Sequence, residues 1–230
     1  MNSLVNETQN LKSTLTEMRR LRGLLTPATI RELYNVNYED MYPWYHMMPP
    51  KQAEKFIEGW TATQIGGKKI TNSQVTEEYR KNDNGDIWTG DTLVIGKNNI
   101  ELKCIFKDGS HIGGGQFRFY ENVPYYMFFK AWDEKRHETF LLTKEQLVNE
   151  IVERAMTTNY SAYGSSQGSG VINKLTRDEK IVRLHENVKG NYADKIGWGF
   201  NADTESNLYK KFCDNYLVSL SDVKRIINEV

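Results

Sequence analysis

The chain has little of what many enzyme sites are built from. Its 230 residues include two cysteines and four histidines. Cys104 and Cys213 lie far apart with no CxxC or Cys/His companion, which excludes a disulfide framework and a structural zinc site. His46, His111, His137 and His185 are isolated from one another, so neither a histidine-ligated metal centre nor a histidine-based triad has a visible constellation. No serine sits in a GxSxG elbow. The glycine run Gly113-Gly114-Gly115 lacks both the GK[ST] ending of a P-loop and the strand-helix setting of a dinucleotide fingerprint, so ATP and NAD readings fail. No apolar stretch approaches the ~20 residues of a membrane helix. The first residues, Met1 to Leu15, carry acids and amides where a signal peptide has a basic start and an apolar block. A soluble protein of a reducing, cytoplasmic compartment is the expectation. Neither charge sign is in excess: 30 Lys+Arg face 30 Asp+Glu, for a formal net charge of zero. That excludes phosphate binding by bulk charge and leaves local positive surfaces open.

With 39% hydrophobic residues, a chain of this size is expected to fold as one domain or a core plus an appendage, burying roughly 70% of its unfolded surface. Leu4, Leu11, Leu15, Met18 and Leu25 recur at helical spacing opposite Lys12, Arg19 and Arg22, which predicts a long amphipathic helix. Thr26-Pro27 caps and starts a shorter helix through Ile30, Leu33 and Tyr34. The helical first fifty residues are expected to end in the aromatic, proline-bounded stretch from Tyr42 to Pro50, and a third helix runs from Lys51 to Trp60. Then the pattern changes. Leu93 to Ile95, Ile100 to Phe106, Tyr125 to Trp132 and Glu138 to Leu142 read as strands, the last two as a hairpin broken at Asp133 to His137. Thr143, with Gln146 as its capping-box partner, opens a helix that buries Leu147, Ile151 and Val152. Thr157 to Asn173 is a long polar connection, and helices are predicted from Thr176 to Val188 and from Asp203 to the C-terminus.

The chemistry-bearing segment is Thr89-Gly90-Asp91-Thr92-Leu93-Val94-Ile95, a polar break at 96–99, then Ile100-Glu101-Leu102-Lys103-Cys104-Ile105-Phe106. Alternate strand residues share a face, so Glu101 and Lys103 project together, away from Leu102 and Cys104. An ionisable pair inside an apolar strand is costly unless something uses or neutralises it. A divalent cation does so, and Asp91 at the mouth of the preceding strand supplies a second carboxylate. Mg²⁺ prefers a few carboxylates plus waters, which leaves the lysine to orient or deprotonate an attacking water and to offset phosphate charge. Alternation sets a condition: Asp91 joins this face only if the connecting loop has an odd number of residues, such as Lys97 to Asn99. With Asp91 on the other face, Asp86 becomes the fallback acid. The same short pattern recurs at Asp133/Lys135, Asp178/Lys180 and Asp222/Lys224, in a turn or on helices. The copy at Glu101 differs by its apolar setting and its upstream acid. The competing reading is an exposed hairpin whose Glu101 and Lys103 form a surface ion pair of little weight.

These residues resemble the PD-(D/E)XK nuclease superfamily, typified by type II restriction endonucleases. Its motif is an acid at a strand start, a variable gap, then acid, any residue, lysine on the next strand, matched here by Asp91, Glu101 and Lys103; Gly90 stands where the family has proline. The resemblance covers roughly residues 51 to 155. It implies an α/β fold with a restriction-endonuclease-like mixed central sheet flanked by helices, a nuclease core over 51–230 and a helical N-terminal extension over 1–50. It further implies Mg²⁺-dependent hydrolysis of double-stranded DNA at a specific sequence. Glu77 and Glu78, or Glu58 on the preceding helix, are candidates for a further metal-holding acid. Gln116 is placed to orient water or touch phosphate.

Candidate phosphate contacts are Lys68, Lys69, Lys107, Arg118, Lys174 and Arg177. Base reading needs side chains that donate and accept together, and the loop 157–173, with Ser165, Gln167 and Asn173, has that vocabulary. A palindromic site cut on both strands favours a two-fold homodimer, with the N-terminal helices and the stretch Tyr42 to Met48 offering surface for it or packing within their own chain. Two alternatives stay open: a non-catalytic DNA-binding protein on the same fold, and a structure-specific or repair nuclease of the same superfamily.

Overall fold

The computed structural model describes residues 17, 19–69, 92–95, 98–106, 111–117, 123–154, 176, 178–179, 196–202 and 206–229. Residues 17 and 19–23 are helical, within the first predicted helix; residues 1–16 lie outside the described residues. Helix α1, Pro27–Leu33, starts as its sequence dictates, with Thr26 Oγ1 accepting from the Thr29 N–H at 3.2 Å and proline in the first turn. Helix α2, Tyr38–Met47, is capped by Asn37, whose side chain accepts from the Asp40 N–H at 2.8 Å. The aromatic stretch is therefore helix and not its terminator, and Pro43 lies inside it. The proline forfeits a backbone N–H. Burial of the inner face offsets that loss: Tyr45 meets Phe106 at 4.0 Å between ring centroids, and Tyr42, Trp44 and Met48 join the same core. Of the surface that the sequence offered to a dimer or to its own chain, Tyr42, Trp44, Tyr45 and Met48 pack within their own chain.

Helix α3, Pro50–Gln64, buries Ala53, Phe56, Ile57 and Trp60 at helical spacing, each large side chain adding about 1.5–3 kcal/mol. It ends in a Schellman motif, Gly67 N–H donating to Ala62 O at 2.7 Å and Gly66 N–H to Thr63 O at 3.0 Å. Gly66 sits at φ 79°, where a side chain would be strained.

The central sheet uses strands β1 (Lys68–Lys69), β2 (Thr92–Ile95), β3 (Asn98–Ile105), β5 (Tyr125–Ala131), β6 (His137–Thr143) and β8 (Leu217–Val218), in the order β1-β2-β3-β5-β6-β8. The β3–β5 pair is parallel and the others antiparallel, so the sheet is mixed, as expected. Strands β4 (His111–Phe117) and β7 (Ile196–Asn201) form a separate two-stranded ribbon. Neither was read as a strand, because glycine weakens strand propensity. Cross-strand pairing of Gly113 with Gly199 and burial of Ile112 and Phe200 hold the ribbon together instead.

Helix α4, Lys144–Arg154, follows β6 through the predicted capping box: Gln146 N–H donates to Thr143 Oγ1 at 3.2 Å and Thr143 N–H to Gln146 Oε1 at 2.8 Å. At the C-terminus the expected continuous helix is two, α5 (Asn207–Tyr216) and α6 (Leu220–Asn228). Leu217 and Val218 leave the helix between them to pair with Phe140 and Thr139 at the sheet edge, and Ser219 caps α6 by accepting from the Asp222 N–H at 3.0 Å.

The sheet separates two cores. On one face Ile100, Leu102, Met127, Phe129 and Leu141 pack under α1, α2, α3 and α6; on the other Ile105, Tyr126, Phe128, Phe140 and Leu142 pack under α4, α5 and the β4–β7 ribbon. No helix among the described residues is long and apolar enough to cross a membrane.

Candidate active site

Glu101 and Lys103 sit on β3, a strand with a neighbour on each side. Their register partners on β5 are Tyr126 and Phe128, both fully buried, so the pair projects onto the α4–α5 face. Lys103 Nζ donates to Glu101 Oε1 at 2.6 Å, with side-chain exposures of 19% and 8%. This differs from the exposed, low-weight ion pair of the competing reading. Removing two charges from water costs several kcal/mol per ion, and mutual attraction with further hydrogen bonds has to offset it; both residues make interactions beyond this one.

The hairpin that feeds the site departs from expectation. Ile95 pairs with Asn98, so residues 96 and 97 alone connect β2 to β3, an even count where an odd one was required. Thr92 is the register partner of Glu101. An even count does not meet the condition for sharing the Glu101 face. Asp91 itself lies outside the described residues, as do Asp86, Glu77 and Glu78. For the Asp91 carboxylate to join Glu101, the chain has to leave strict alternation after Thr92, as a bulge does.

Glu58 is corrected as a partner for Glu101. It projects from α3 and accepts from Lys69 Nζ. Lys69 is the register partner of Leu93, and Leu93 of Ile100, so the pair lies on the opposite sheet face from Glu101. Lys69 is thereby also removed from the candidate phosphate contacts on the Glu101 face. Lys68, exposed and paired with Val94, falls on the face of Glu101. Gln116 is on β4, where the pairing with β7 slips between Gly114 and Phe117; its side chain lies outside the described part. Lys107, Arg118, Ser165, Gln167, Asn173, Lys174 and Arg177 also lie outside the described residues.

A second ionic group on the same face was missed. Lys130 is fully buried on β5, with Ile105 on one side and Glu138 on the other as register partners. Its Nζ stands 4.8 Å from the Trp132 ring, and the Arg136 guanidinium lies at the same distance. The Glu138 carboxylate accepts from Tyr209 Oη at 2.6 Å and from Arg136 Nη2 at 2.7 Å, which ties α5 to the sheet. Burial and that carboxylate push the Tyr209 phenol well above its usual range. A lysine at an inward position of the apolar run Tyr125 to Trp132 was the available signal.

Glu101 is an oxygen donor of the kind a hard cation takes. Among the described residues no group of three or more His, Cys, Asp or Glu converges on one point. No family model, curated protein or solved structure matches the chain.

Proposed function

We propose that the chain is a Mg²⁺-dependent endonuclease of double-stranded DNA, a type II restriction enzyme on a PD-(D/E)XK scaffold. The observation that carries this reading is the acid–lysine pair of β3, buried on one face of a central strand in a mixed α/β sheet. In this reading Asp91 and Glu101 hold the metal, with Glu77 or Glu78 as a further acid. Magnesium, when bound, supplies positive charge against the developing phosphorane. Lys103 would orient or deprotonate the water that attacks phosphorus in line; the P–O3′ bond breaks, the 3′-oxygen leaves and takes up a proton, and a 5′-phosphate remains. Lys68, Lys107, Arg118, Lys174 and Arg177 contact phosphates. Gln116 orients water or touches phosphate, and Ser165, Gln167 and Asn173 read bases. A homodimer cuts both strands of a palindromic site.

The test incubates a long DNA duplex with the full chain and Mg²⁺. Discrete fragments are expected; a smear means a nuclease without sequence preference. Intact DNA, with Lys103→Ala unchanged in duplex binding, moves the assignment to a non-catalytic DNA-binding protein. The two-residue β2–β3 connection favours that second reading, because it does not meet the odd-count condition set for an acid ahead of β2 to join Glu101.

A further inference from the structure

His137 opens β6 as the register partner of Ala131. Its imidazole lies between rings from two other elements, Tyr38 of α2 at 4.4 Å and Phe129 of β5 at 5.2 Å. Its Nδ1 is buried and has no hydrogen-bond partner among the described residues. The same Tyr38 fastens α2 to the sheet: its ring packs 6.0 Å from that of Phe129 on β5, and its hydroxyl donates to Asp133 O at 2.5 Å. The imidazole is thus a packing element in the seam between α2 and the sheet.

Among the described residues, few charged or titratable groups surround it. Tyr38 faces it from α2, Asp133 and Arg136 come from the β5–β6 turn, and Glu138 follows it on β6 with its side chain on the other face. Trp60 of α3 and Phe129 and Ala131 of β5 bring no charge. Burial pulls the imidazole below its ordinary 6.5, and the Glu138 charge opposes this only in part.

We propose that His137 is a pH-sensitive latch on the N-terminal helices: the neutral ring keeps α2 seated on the sheet, and the protonated ring releases it. An imidazolium carries N–H on both nitrogens, and a buried Nδ1–H without an acceptor is unfavourable. Attraction between the cation and the two aromatic rings opposes release, but the net effect of the surroundings disfavours the charged form. The sign follows from linkage. A histidine held below its unfolded value contributes docking energy that is complete above about pH 6.5 and declines as pH falls from there toward the folded-state value. The seam lies on the sheet face away from Glu101 and Lys103, so its test is independent of the nuclease reading.

The experiment follows His137 by imidazole NMR in the full chain, together with amide hydrogen-exchange protection in α2 and β5, from about pH 7.5 to about 5.5. His137 is expected to titrate below 6.5, and α2 protection to fall with pH while β5 protection holds. The fall cannot exceed about tenfold per pH unit, the ceiling for one proton. His137→Phe should flatten the α2 profile. Titration at or above 6.5, pH-independent α2 protection, or equal losses in α2 and β5 would each overturn the latch. If His137→Phe does not fold, the wild-type titration and the α2-to-β5 comparison decide alone.

Discussion

At the residue scale the structure changes what a lysine deletion means. Lys103→Ala takes the ammonium away from the Glu101 carboxylate in a site where its side chain is 8% exposed, which costs up to about 3–5 kcal/mol. Loss of cleavage in that variant alone would therefore confuse chemistry with unfolding. Glu101→Gln/Lys103→Met removes both charges at similar volume and should be markedly less destabilising while equally inactive. Denaturant midpoints for the two variants check the first statement and duplex cleavage the second; equal destabilisation would show that the pair's burial had been misjudged. Cys104 offers an independent residue-level check. Burial, chiefly, pushes its thiol up to about 12. At pH 8 only about one thiol in 10⁴ is then ionised, and the thiolate is the reactive form. Thiol labelling of the native chain should be slow at Cys104 and should accelerate on unfolding.

At the element scale, most secondary structure was legible because its signals are local. Thr26-Pro27 announced α1, and apolar spacing announced α3. Thr143 with Gln146 announced α4, and removing that cap by Thr143→Ala should cost about 1 kcal/mol and lower the melting temperature by about 2–4 °C. A thermal shift near zero would mean that α4 is held by Leu147, Val148 and Ile151 alone. The misread elements are those that tertiary contacts create. Leu217 and Val218 interrupt what reads as one helix because two ladder positions on β6 were open to them. The Gly113 strand exists because β7 lies beside it, and Pro43 is tolerated in α2 because the aromatic face around it is buried.

For the whole molecule, a net charge of zero combined with ion pairs withdrawn from solvent on both sheet faces predicts how any DNA binding should behave. Non-specific affinity should be weak and fall steeply with salt, while affinity for a specific site, carried by base contacts, should change less. Titrating duplex binding against salt checks this. A shallow slope for random duplex would contradict the proposed phosphate contacts. Glu58 and Glu101 illustrate the same scale. Both are acids beside a lysine, 43 positions apart along the chain, yet the sheet passes between them.

The sequence by itself determined the mixed α/β character, the order of α1, α3, β2, β3, β5, β6 and α4, and the sharing of one strand face by Glu101 and Lys103. Caps, helical spacing and strand alternation act within a few residues and need no partner. Tertiary structure decided the depth at which that pair is buried, since its buried register partners Tyr126 and Phe128 come from a distant part of the chain. It also decided the parity of the β2–β3 connection, which pairing rather than composition sets. Finally, it decided where the aromatic N-terminal surface goes: onto the sheet, with Tyr38 closing over His137.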